Sequence, residues 1–115
     1  MADVLLPLAQ SRGASAAIDE YRRLVRDEPA RHEYGEAELN RIGYQLMKEH
    51  LDAALAIFAF NVEQFPSSAN VWDSLAEAQM NTGKRDEAIA NYRKSLALNP
   101  HNANAAAMLK KLGAP

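Results

Sequence analysis

The sequence predicts an all-α protein built from stacked pairs of antiparallel helices. Three observations support this fold class: a triplet of residue types recurs three times, the repeat length suits two helices with two turns, and the apolar residues between the triplets have helical spacing. With 115 residues the chain is long enough to bury a core without disulfides or metals. We therefore expect one domain over residues 1–115.

The recurring triplet is an alanine, an aromatic residue four positions later and a proline eight positions after that. Its copies are Ala17, Tyr21 and Pro29; Ala54, Phe58 and Pro66; and Ala88, Tyr92 and Pro100. Residues four apart lie on one helical face, so a neighbouring helix can approach at the alanine while the ring fills the space beside it. Proline pushes the preceding residue out of the helical region, so each triplet predicts a buried helix face and the end of that helix.

A second helix is predicted between successive triplets, antiparallel to the helix of the triplet. Residues 70–82 supply it in the last repeat, with Gly83 suited to end the helix and Ser67 or Ser68 suited to cap its start. Its residues at helical spacing are Trp72, Leu75, Ala76 and Gln79, at intervals of three, one and three. The middle repeat has the same spacing at Leu39, Ile42, Gly43 and Leu46. The small residue in each set predicts close contact between the two helices of a pair.

The copies of the triplet are not evenly spaced. The alanines are 37 positions apart from Ala17 to Ala54 and 34 apart from Ala54 to Ala88. We expect a three-residue insertion within "RHEYGEAE", residues 31–38. We also expect a turn one residue shorter inside the middle pair, because Gly43 precedes Ala54 by 11 positions and Ala76 precedes Ala88 by 12.

These residues resemble the tetratricopeptide repeat family, whose unit runs Trp, Leu, Gly, Tyr on the first helix and Ala, Phe, Pro on the second. The last repeat matches the pattern at Trp72, Leu75, Ala76, Gly83, Ala88, Tyr92, Ser95 and Pro100. It departs from the pattern at Gln79, where the family favours an aromatic residue. The middle repeat matches at Gly43, Ala54, Phe58 and Pro66 and departs at Leu39 and Leu46.

The resemblance implies a right-handed α-α superhelix, a solenoid, of about three helix hairpins and a capping helix. The units are expected over residues 2–30, 36–66 and 69–100, with the cap over residues 102–112. The first helix of the first unit contains Pro7 and is poorly defined. The apolar stripe of the cap is Ala105, Met108, Leu109 and Leu112, and a solenoid needs such a cap to cover its last core face.

A closer resemblance covers nearly all of residues 15–112. The phrases "ELNRIGYQL", "FAFNVEQFPSSANVWDSLAEA" and "AIANYRKSLALNPHNANAAAMLKKL" are similar to the repeat region at the C-terminus of some bacterial serine hydrolases, both esterase-like and β-lactamase-like. The resemblance implies that the chain is either a tail of a catalytic domain or a stand-alone relative. The compartment is left open: the cytoplasm is favoured for the chain as given, which has no signal peptide, and the periplasm is the alternative for a fragment of a larger protein.

Composition argues against several function classes. The 13 Lys and Arg residues against 15 Asp and Glu give a net charge of −2, whereas a nucleic-acid binder should have a basic face. No stretch approaches the roughly 20 apolar residues of a membrane span. The absence of cysteine excludes a disulfide framework and thiolate metal sites.

We find no catalytic, cofactor-binding or metal-binding pattern and expect a protein that is not an enzyme. "GASAA", residues 13–17, approximates the nucleophile elbow, but that motif needs a preceding strand, and Ser15 is expected to be an ordinary residue beside the helix that holds Ala17. The three histidines, His32, His50 and His101, fall in predicted turns, and "HEYGE" is not the zinc motif His-Glu-x-x-His.

The expected function is protein–protein interaction, as a scaffold that binds a peptide or protein. In the resembling family a partner lies in the concave groove formed by the first helices. The matching positions are Asn40, Arg41, Tyr44, Met47, Lys48, Asn70, Asp73, Ser74, Glu77, Met80 and Asn81, with Asn104, Ala107 and Lys111 of the cap. Trp72 and the aromatic residues of the triplets are expected in the core instead, and a merely solvated face is the alternative for the groove positions.

Two further expectations concern the partner. Asp73 and Glu77 would repel the C-terminal carboxylate that some family members bind, so we expect no binding of chaperone tails. The N-terminal end should expose Leu5, Leu6, Leu8 and Leu24, which would favour a homodimer or docking to an upstream catalytic domain.

Overall fold

The computed structural model describes residues 2–30 and 35–114, and over these ranges the chain is helical without any strand. The helices are α1 (Ala2–Arg12), α2 (Ala14–Asp27), α3 (Glu36–Leu46), α4 (Leu51–Gln64), α5 (Ala69–Asn81), α6 (Arg85–Leu98) and α7 (Ala103–Lys111). The all-α prediction is therefore confirmed.

The three helices that hold the triplets have the same design. Each of α2, α4 and α6 is 14 residues long. The alanine is the fourth residue, the aromatic residue is the eighth, and the proline follows the last helical residue by two positions. The helix therefore ends just before the residue whose helical conformation the proline ring disfavours.

The small and aromatic residues of the triplets are all buried, as predicted. The alanines Ala17, Ala54 and Ala88 have no exposed surface, and Tyr21, at 6% exposure, is the least buried of the rings. Because each alanine is fully buried, an added methyl group would have to displace a packed neighbour. The position therefore requires a small residue.

The longer connection between α2 and α3 overlaps the region in which the three-residue insertion was predicted. The connection from α2 to α3 is residues 28–35, four residues longer than the corresponding connection 65–68, and its residues 31–34 lie outside the described ranges. The prediction of a shorter turn in the middle pair is wrong: the turn after α3 has four residues, 47–50, and the turn after α5 has three, 82–84. The middle pair is shorter because of α3 itself, which has 11 residues against 13 in α5.

Glycine accounts for the sharper of these two turns. Gly83 has a φ of +80°, a conformation that residues with a side chain rarely adopt, and it directly follows the helix C-cap Thr82. The turn after α3 contains no glycine and leaves the helix through Met47 in a right-handed helical conformation. The predicted start of α5 is also confirmed, since Ser68 is its N-cap residue, although its side chain does not accept a capping hydrogen bond.

The first helix is regular in spite of Pro7. α1 extends over Ala2–Arg12 with Leu5 and Ala9 buried, so the poorly defined helix expected from the sequence is well formed. It ends at Gly13, whose φ of +90° separates it from α2 by a single residue. Helix α1 contacts both α2 and α3.

The structure separates into two compact units, residues 1–61 and residues 62–115. The number of domains therefore stays a prediction. In the first unit, α3 and α4 touch at Gly43, where a Cβ atom would lie 2.5 Å from the ring of Phe58. The ring of Phe60 on α4 meets Tyr21 of α2 edge-on, with 5.4 Å between the centroids. This unit is thus held by aromatic residues of α4 that contact α2 and α3.

The second unit is held by α5, α6 and α7, and its core is formed by small residues around one ring. The buried members are Ala76, Ala88, Ile89, Tyr92, Ala105, Leu109 and Ala114. Gln79 is also buried, where an aromatic residue was expected, and its Oε1 accepts a 2.7 Å hydrogen bond from Asn91 on α6. The departure from the family pattern is therefore compensated by a polar pair between α5 and α6.

The prediction that Trp72 is a core residue is only partly right. Its side chain is half-buried. The indole nitrogen donates a 2.8 Å hydrogen bond to the carbonyl of Pro66, and the ammonium of Lys94 lies 5.7 Å from the ring centroid. The ring therefore fastens the connection before α5 to its own helix while one edge stays in contact with solvent.

No helix within residues 2–30 and 35–114 has the length and apolar character that crossing a bilayer would require.

Candidate partner-binding surfaces

The predicted groove residues of the second unit lie along one face of α5. Asn70, Asp73 and Glu77 follow each other at intervals of three and four positions, which places them on one side of the helix. Asn70 and Asn81 are exposed, and Asp73, Glu77 and Met80 are half-buried. Met80 packs against the core of the second unit, so only part of its side chain is available to a partner.

Asp73 has a fixed position on this face because α7 holds it. The amide nitrogen of Asn104 donates hydrogen bonds of 3.0 and 3.2 Å to the two carboxylate oxygens of Asp73. Burial raises the pKa of Asp73 above its ordinary value, and the hydrogen bonds from Asn104 and Asn102 lower it in part. Two residues predicted for the groove, Asp73 and Asn104, are thus in direct contact.

The cap holds Asn104 in place through its own N-terminus. Asn102 is the N-cap residue of α7, and its Oδ1 accepts a hydrogen bond of 3.1 Å from the backbone nitrogen of Ala105. Its Nδ2 donates to the hydroxyl of Ser95, which is buried on α6. A chain of polar contacts therefore connects the surface carboxylate to the packed interior of the second unit.

The predicted groove residues of the first unit are more embedded than expected. Tyr44 is half-buried, and its ring meets Phe58 edge-on with 5.1 Å between centroids. Asn40 is half-buried too, and its Oδ1 is buried without a hydrogen-bond partner among the described residues. Arg41 is exposed and forms an ion pair of 3.1 Å with the buried Glu38. Tyr44 therefore contributes to helix packing as well as to the surface.

Met47 and Lys48 lie beyond the end of α3, in the turn that leads to α4. Lys48 lines a cleft of about 790 Å³ together with Gly13 and His50, at the turns that precede α2 and α4. The sequence placed Lys48 on the helix face with Asn40 and Tyr44. The structure places it at the turn instead, because α3 stops at Leu46.

Among the remaining predicted groove positions, some are buried and others are exposed. Ser74 is buried with only 2% of its surface exposed, so it cannot contact a partner directly. Ala107 and Lys111 are exposed on α7. The positions on α3 belong to the unit of residues 1–61 and those on α5 and α7 to the unit of residues 62–115.

The described residues that the sequence offered for catalysis or metal binding are Ser15, His50 and His101. Ser15 is exposed in the first turn of α2, after a helix rather than a strand, so the structure lacks the context of a nucleophile elbow. His50 precedes α4, His101 lies in the turn before α7, and His32 falls outside the described residues. Within those ranges no three His, Cys, Asp or Glu side chains come together as metal ligands would.

The N-terminal end exposes less apolar surface than predicted. Leu5 and Leu24 are buried, and Leu6 and Leu8 are half-buried, because α1 packs on α2 and α3. The prediction of four exposed leucines is wrong for Leu5 and Leu24.

The sequence did not reveal a charged cluster at the end of α2. The guanidinium of Arg23 donates to Glu20 at 2.5 Å and lies 3.3 Å from Glu28. The hydrogen bond from Arg23 lowers the pKa of Glu20. The spacing of three between Glu20 and Arg23 could have predicted the ion pair, but the pair is exposed to solvent and contributes little to stability.

The sequence also missed an apolar surface groove at the other end of the chain. We call it the α6–α7 groove. It has a volume of about 550 Å³ and is lined by Arg93, Leu96, Ala97, Ala106, Leu109, Lys110 and Ala114. The prediction of a cap that covers the last core face overlooked it, because a single helix leaves one of its own sides uncovered.

Comparisons with known proteins agree with this architecture. The chain resembles the crystal structure of MamA, with a TM-score of 0.63 and 19% sequence identity over 95% of this chain. The match covers 62% of the MamA chain, so the present chain spans less than two thirds of that structure. This likeness confirms the predicted fold class, the α-α superhelix.

The comparison with curated proteins gave no match. The family model described as tetratricopeptide repeat matches residues 69–102, the part of the chain that forms α5, α6 and the connection to α7. These residues are the repeat that follows the family pattern most fully in the sequence, and the match therefore supports the tetratricopeptide repeat resemblance.

Proposed function

We propose that the chain is a non-catalytic module for protein–protein interaction and that it binds a peptide or protein segment through the exposed faces of its first helices. The repeat match over residues 69–102 and the likeness in fold to MamA support an interaction scaffold in general. The specific surface is our inference from the contacts of α5 and α7.

The observation that supports this surface most directly is the carboxylate of Asp73. It accepts two hydrogen bonds from Asn104 and forms no ion pair with a cation among the described residues. A carboxylate held in one orientation and half removed from water is a good acceptor for a donor on a partner, because little side-chain freedom is lost on binding. Asn70 and Glu77 add polar groups on either side along α5.

The partner is therefore expected to contribute hydrogen-bond donors, such as backbone amides or Lys and Arg side chains, opposite Asp73. Half-buried Met80 offers a neighbouring apolar contact. In the first unit, Asn40, Arg41 and Tyr44 on α3, with Met47 and Lys48 at the turn that follows, are proposed contacts for a partner of that unit.

A photo-crosslinking experiment tests the proposal. A photoreactive amino acid is placed at Asn70 or Asn81, at the two ends of the α5 face, and in a control at Glu63, which is exposed on α4. After irradiation in a lysate, we expect the same crosslinked protein from the two α5 positions and not from the control. Crosslinking that is equal at all three positions, or absent from α5, would contradict the proposed surface.

The same capture is then repeated with Asp73→Ala. The free energy of unfolding should change by less than about 0.5 kcal/mol because the side chain is half-exposed, while capture of the partner falls. Asp86→Ala is the matched control, since Asp86 is an exposed acid at the start of α6. Equal capture by both variants would show that Asp73 does not contribute to binding.

Binding of a C-terminal carboxylate is not expected at this surface. A short fluorescent peptide of acidic residues without apolar side chains, made with a free C-terminus and with a C-terminal amide, serves as the pair of probes. We expect neither to bind measurably, because Asp73 and Glu77 repel negative charge. Selective binding of the free carboxylate would contradict this part of the proposal.

Two other functions follow from the sequence resemblance and are predictions that the fold leaves untested. One is a stabilising or regulatory tail that acts in cis on a serine hydrolase, and the other is homo-oligomerisation. The reading frame upstream of Met1 distinguishes the first, since a Ser-x-x-Lys or Gly-x-Ser-x-Gly domain there would favour it. Sedimentation at micromolar concentration distinguishes the second.

A further inference from the structure

The α6–α7 groove has an apolar floor and a basic rim. Leu96, Ala97, Ala106, Leu109 and Ala114 form its apolar part. The two charged residues that line it are Arg93 and Lys110, both exposed, and neither forms an ion pair within the described residues. Among the residues that the structure describes, no acidic side chain lines the groove. Apolar surface beside unpaired cations is a surface suited to a partner that is apolar and acidic.

The first unit shows what fills the corresponding position inside the repeat. There, α4 packs against both α2 and α3: its Phe60 meets Tyr21, and its Phe58 meets Gly43. In the second unit, α6 corresponds to α2 and α7 corresponds to α3. No described helix follows α7. The repeat geometry therefore indicates that the occupant of the α6–α7 groove is a helix.

An arginine already makes this type of contact inside the chain. Arg22 directly follows Tyr21 on α2, and its guanidinium lies 5.0 Å from the ring centroid of Phe60 on the neighbouring α4. Arg93 directly follows Tyr92 on α6 and so has the same position in its repeat. A side chain at this position reaches across to the next helix, and Arg93 is placed to contact an incoming helix in the same way.

The opposite rim differs from the interior of the repeat. Gly43, Ala76 and Lys110 are each the eighth residue of α3, α5 and α7. Glycine and alanine allow the helices of a pair to touch, whereas Lys110 puts a long charged side chain at that place. A further repeat helix with only apolar residues would leave the ammonium group without a partner, so the occupant should present a carboxylate here.

We propose that the α6–α7 groove binds an amphipathic helix of another protein, with an apolar stripe flanked on both sides by acidic side chains. The stripe packs on Leu96, Ala106 and Leu109, and the flanking carboxylates pair with Arg93 and Lys110. This surface is separate from the α5 face, so the inference does not depend on the function proposed above.

Two designed 18-residue helical peptides test the charge of the partner. Both have leucines at positions 1, 4, 5, 8, 11, 12 and 15, and the flanking positions are Glu in one and Lys in the other. Fluorescence anisotropy measures binding to the full chain. We expect the Glu peptide to bind at least about tenfold more tightly, because rim charges act mainly through complementarity with the partner. Equal affinity, tighter binding of the Lys peptide or no binding of the Glu peptide overturns the proposal.

Charge reversal on the protein tests the two rim residues. The double variant Arg93→Glu with Lys110→Glu should reverse the preference, so that the Lys peptide binds more tightly than the Glu peptide. Lys84→Glu is the matched control, because Lys84 is exposed in the second unit but does not line the groove. A preference for the Glu peptide that survives the double reversal, or that Lys84→Glu also reverses, overturns the proposal.

Filling the groove tests its location without relying on charge. Ala106→Trp adds a large ring at an exposed position of the lining and should abolish binding of the Glu peptide while the circular dichroism of the chain stays unchanged. If this variant fails to fold, backbone amide shifts of the unmodified chain give the same information: shifts on adding the Glu peptide should concentrate at Leu96, Ala97 and Ala106. Shifts confined to other helices overturn the proposal, as does a concentration-dependent dimer that Ala106→Trp dissociates, because a second copy would then be the occupant.

Discussion

The hairpins α3/α4 and α5/α6 have the same repeat design and are packed differently. In α3/α4 the helices touch at a glycine, and the ring of Phe58 occupies the space where the Cβ atom of another residue would lie. In α5/α6 the residue at the same position is Ala76, which is fully buried in the core around Tyr92. Both hairpins thus need a small residue at this position, and in α3/α4 the ring of Phe58 leaves room only for glycine.

The two hairpins also differ in how the second helix is fastened to the start of the first. Seven positions after its alanine, α4 has Asn61, whose Nδ2 donates a 3.0 Å hydrogen bond to the carbonyl of Glu36, the first residue of α3. At the same position α6 has Ser95, whose hydroxyl donates a 2.8 Å hydrogen bond to the carbonyl of Ala69, the first residue of α5. Different side chains thus make the same connection.

The two side chains differ in whether their remaining hydrogen-bonding capacity is satisfied. The Oδ1 of Asn61 is buried without a hydrogen-bond partner in the described part of the chain, whereas the hydroxyl of Ser95 accepts a further hydrogen bond of 2.8 Å from Asn102. An unsatisfied buried acceptor costs free energy that a satisfied one does not. The hairpin that contacts the cap is therefore the better satisfied of the two.

The largest expected effect comes from enlarging the buried alanines of the two hairpins. Ala54→Leu and Ala88→Leu should each lower the free energy of unfolding by up to about 3 kcal/mol, because neither residue has exposed surface and the added atoms must displace packed neighbours. Urea unfolding followed by circular dichroism measures the change. Ala59→Leu and Ala90→Leu are controls on the same helices at exposed positions. If Ala88→Leu were as harmless as Ala90→Leu, the helix contact described for α6 would be incorrect.

A smaller effect is expected from exchanging the small residues at the hairpin contact. Gly43→Ala should lower the free energy of unfolding by about 2 kcal/mol, because the new methyl group would meet the buried ring of Phe58. Ala76→Gly should cost about 1 kcal/mol through the flexibility of glycine in a helix. The same urea titration compares the two variants. A stabilising Gly43→Ala would mean that the ring of Phe58 moves away at little cost.

Removing the hydrogen bonds of Ser95 is expected to change the free energy of unfolding by about 1 kcal/mol. Ser95→Ala should lower the free energy of unfolding by about that amount, because it leaves the Ala69 carbonyl and the Asn102 amide without their shared hydroxyl. Asn61→Leu should cost less, because it replaces a side chain with an unpaired oxygen by an apolar one of similar size, as Leu24 has at the same position of α2. Thermal unfolding of both variants gives the ranking, and the reverse order would contradict the comparison.

The smallest effect is electrostatic and concerns the second unit alone. Burial raises the pKa of Asp73 above 3.8, so the folded chain holds this proton more tightly than the unfolded chain does. The stability that this group contributes is present below pH 3.8 and is lost as the pH rises through the raised pKa. Asn104→Ala should raise the pKa further, because it removes two hydrogen bonds to the charged carboxylate. Carbon NMR titration of the Asp73 side chain measures it, with Asn70→Ala as the control on the same face.

Much of the fold was predictable because it depends on local order along the chain. The triplets fixed the helices α2, α4 and α6 and their buried faces, since helical spacing and the helix-ending effect of proline act within a few residues. The helix expected over residues 70–82 is α5 within one residue at each end. Gly83 was expected to end it and adopts a φ of +80° directly after it.

The predictions that were wrong share a physical cause. They concern the burial of Trp72, the covering of Leu5 and Leu24, and the position of Lys48 on a helix or at a turn. Each of these depends on which distant helices come into contact. Helical spacing says which side of a helix is apolar but not how far a neighbour covers it. The same reason applies to the candidate groove, where the sequence placed Ser74 on the surface and the structure buries it.

The sequence by itself determined the repeat: which residues are small, which are aromatic, and that α2, α4 and α6 end before their prolines. These properties depend on spacing along one chain. Only the tertiary structure decided that Asp73 and Asn104 meet across 31 positions. It also decided that Asn61 and Ser95 each donate a hydrogen bond to the start of the preceding helix. The same is true of Arg93 and Lys110, which flank an apolar groove. Such contacts join residues far apart in the chain, and their geometry follows from helix packing rather than from any local pattern.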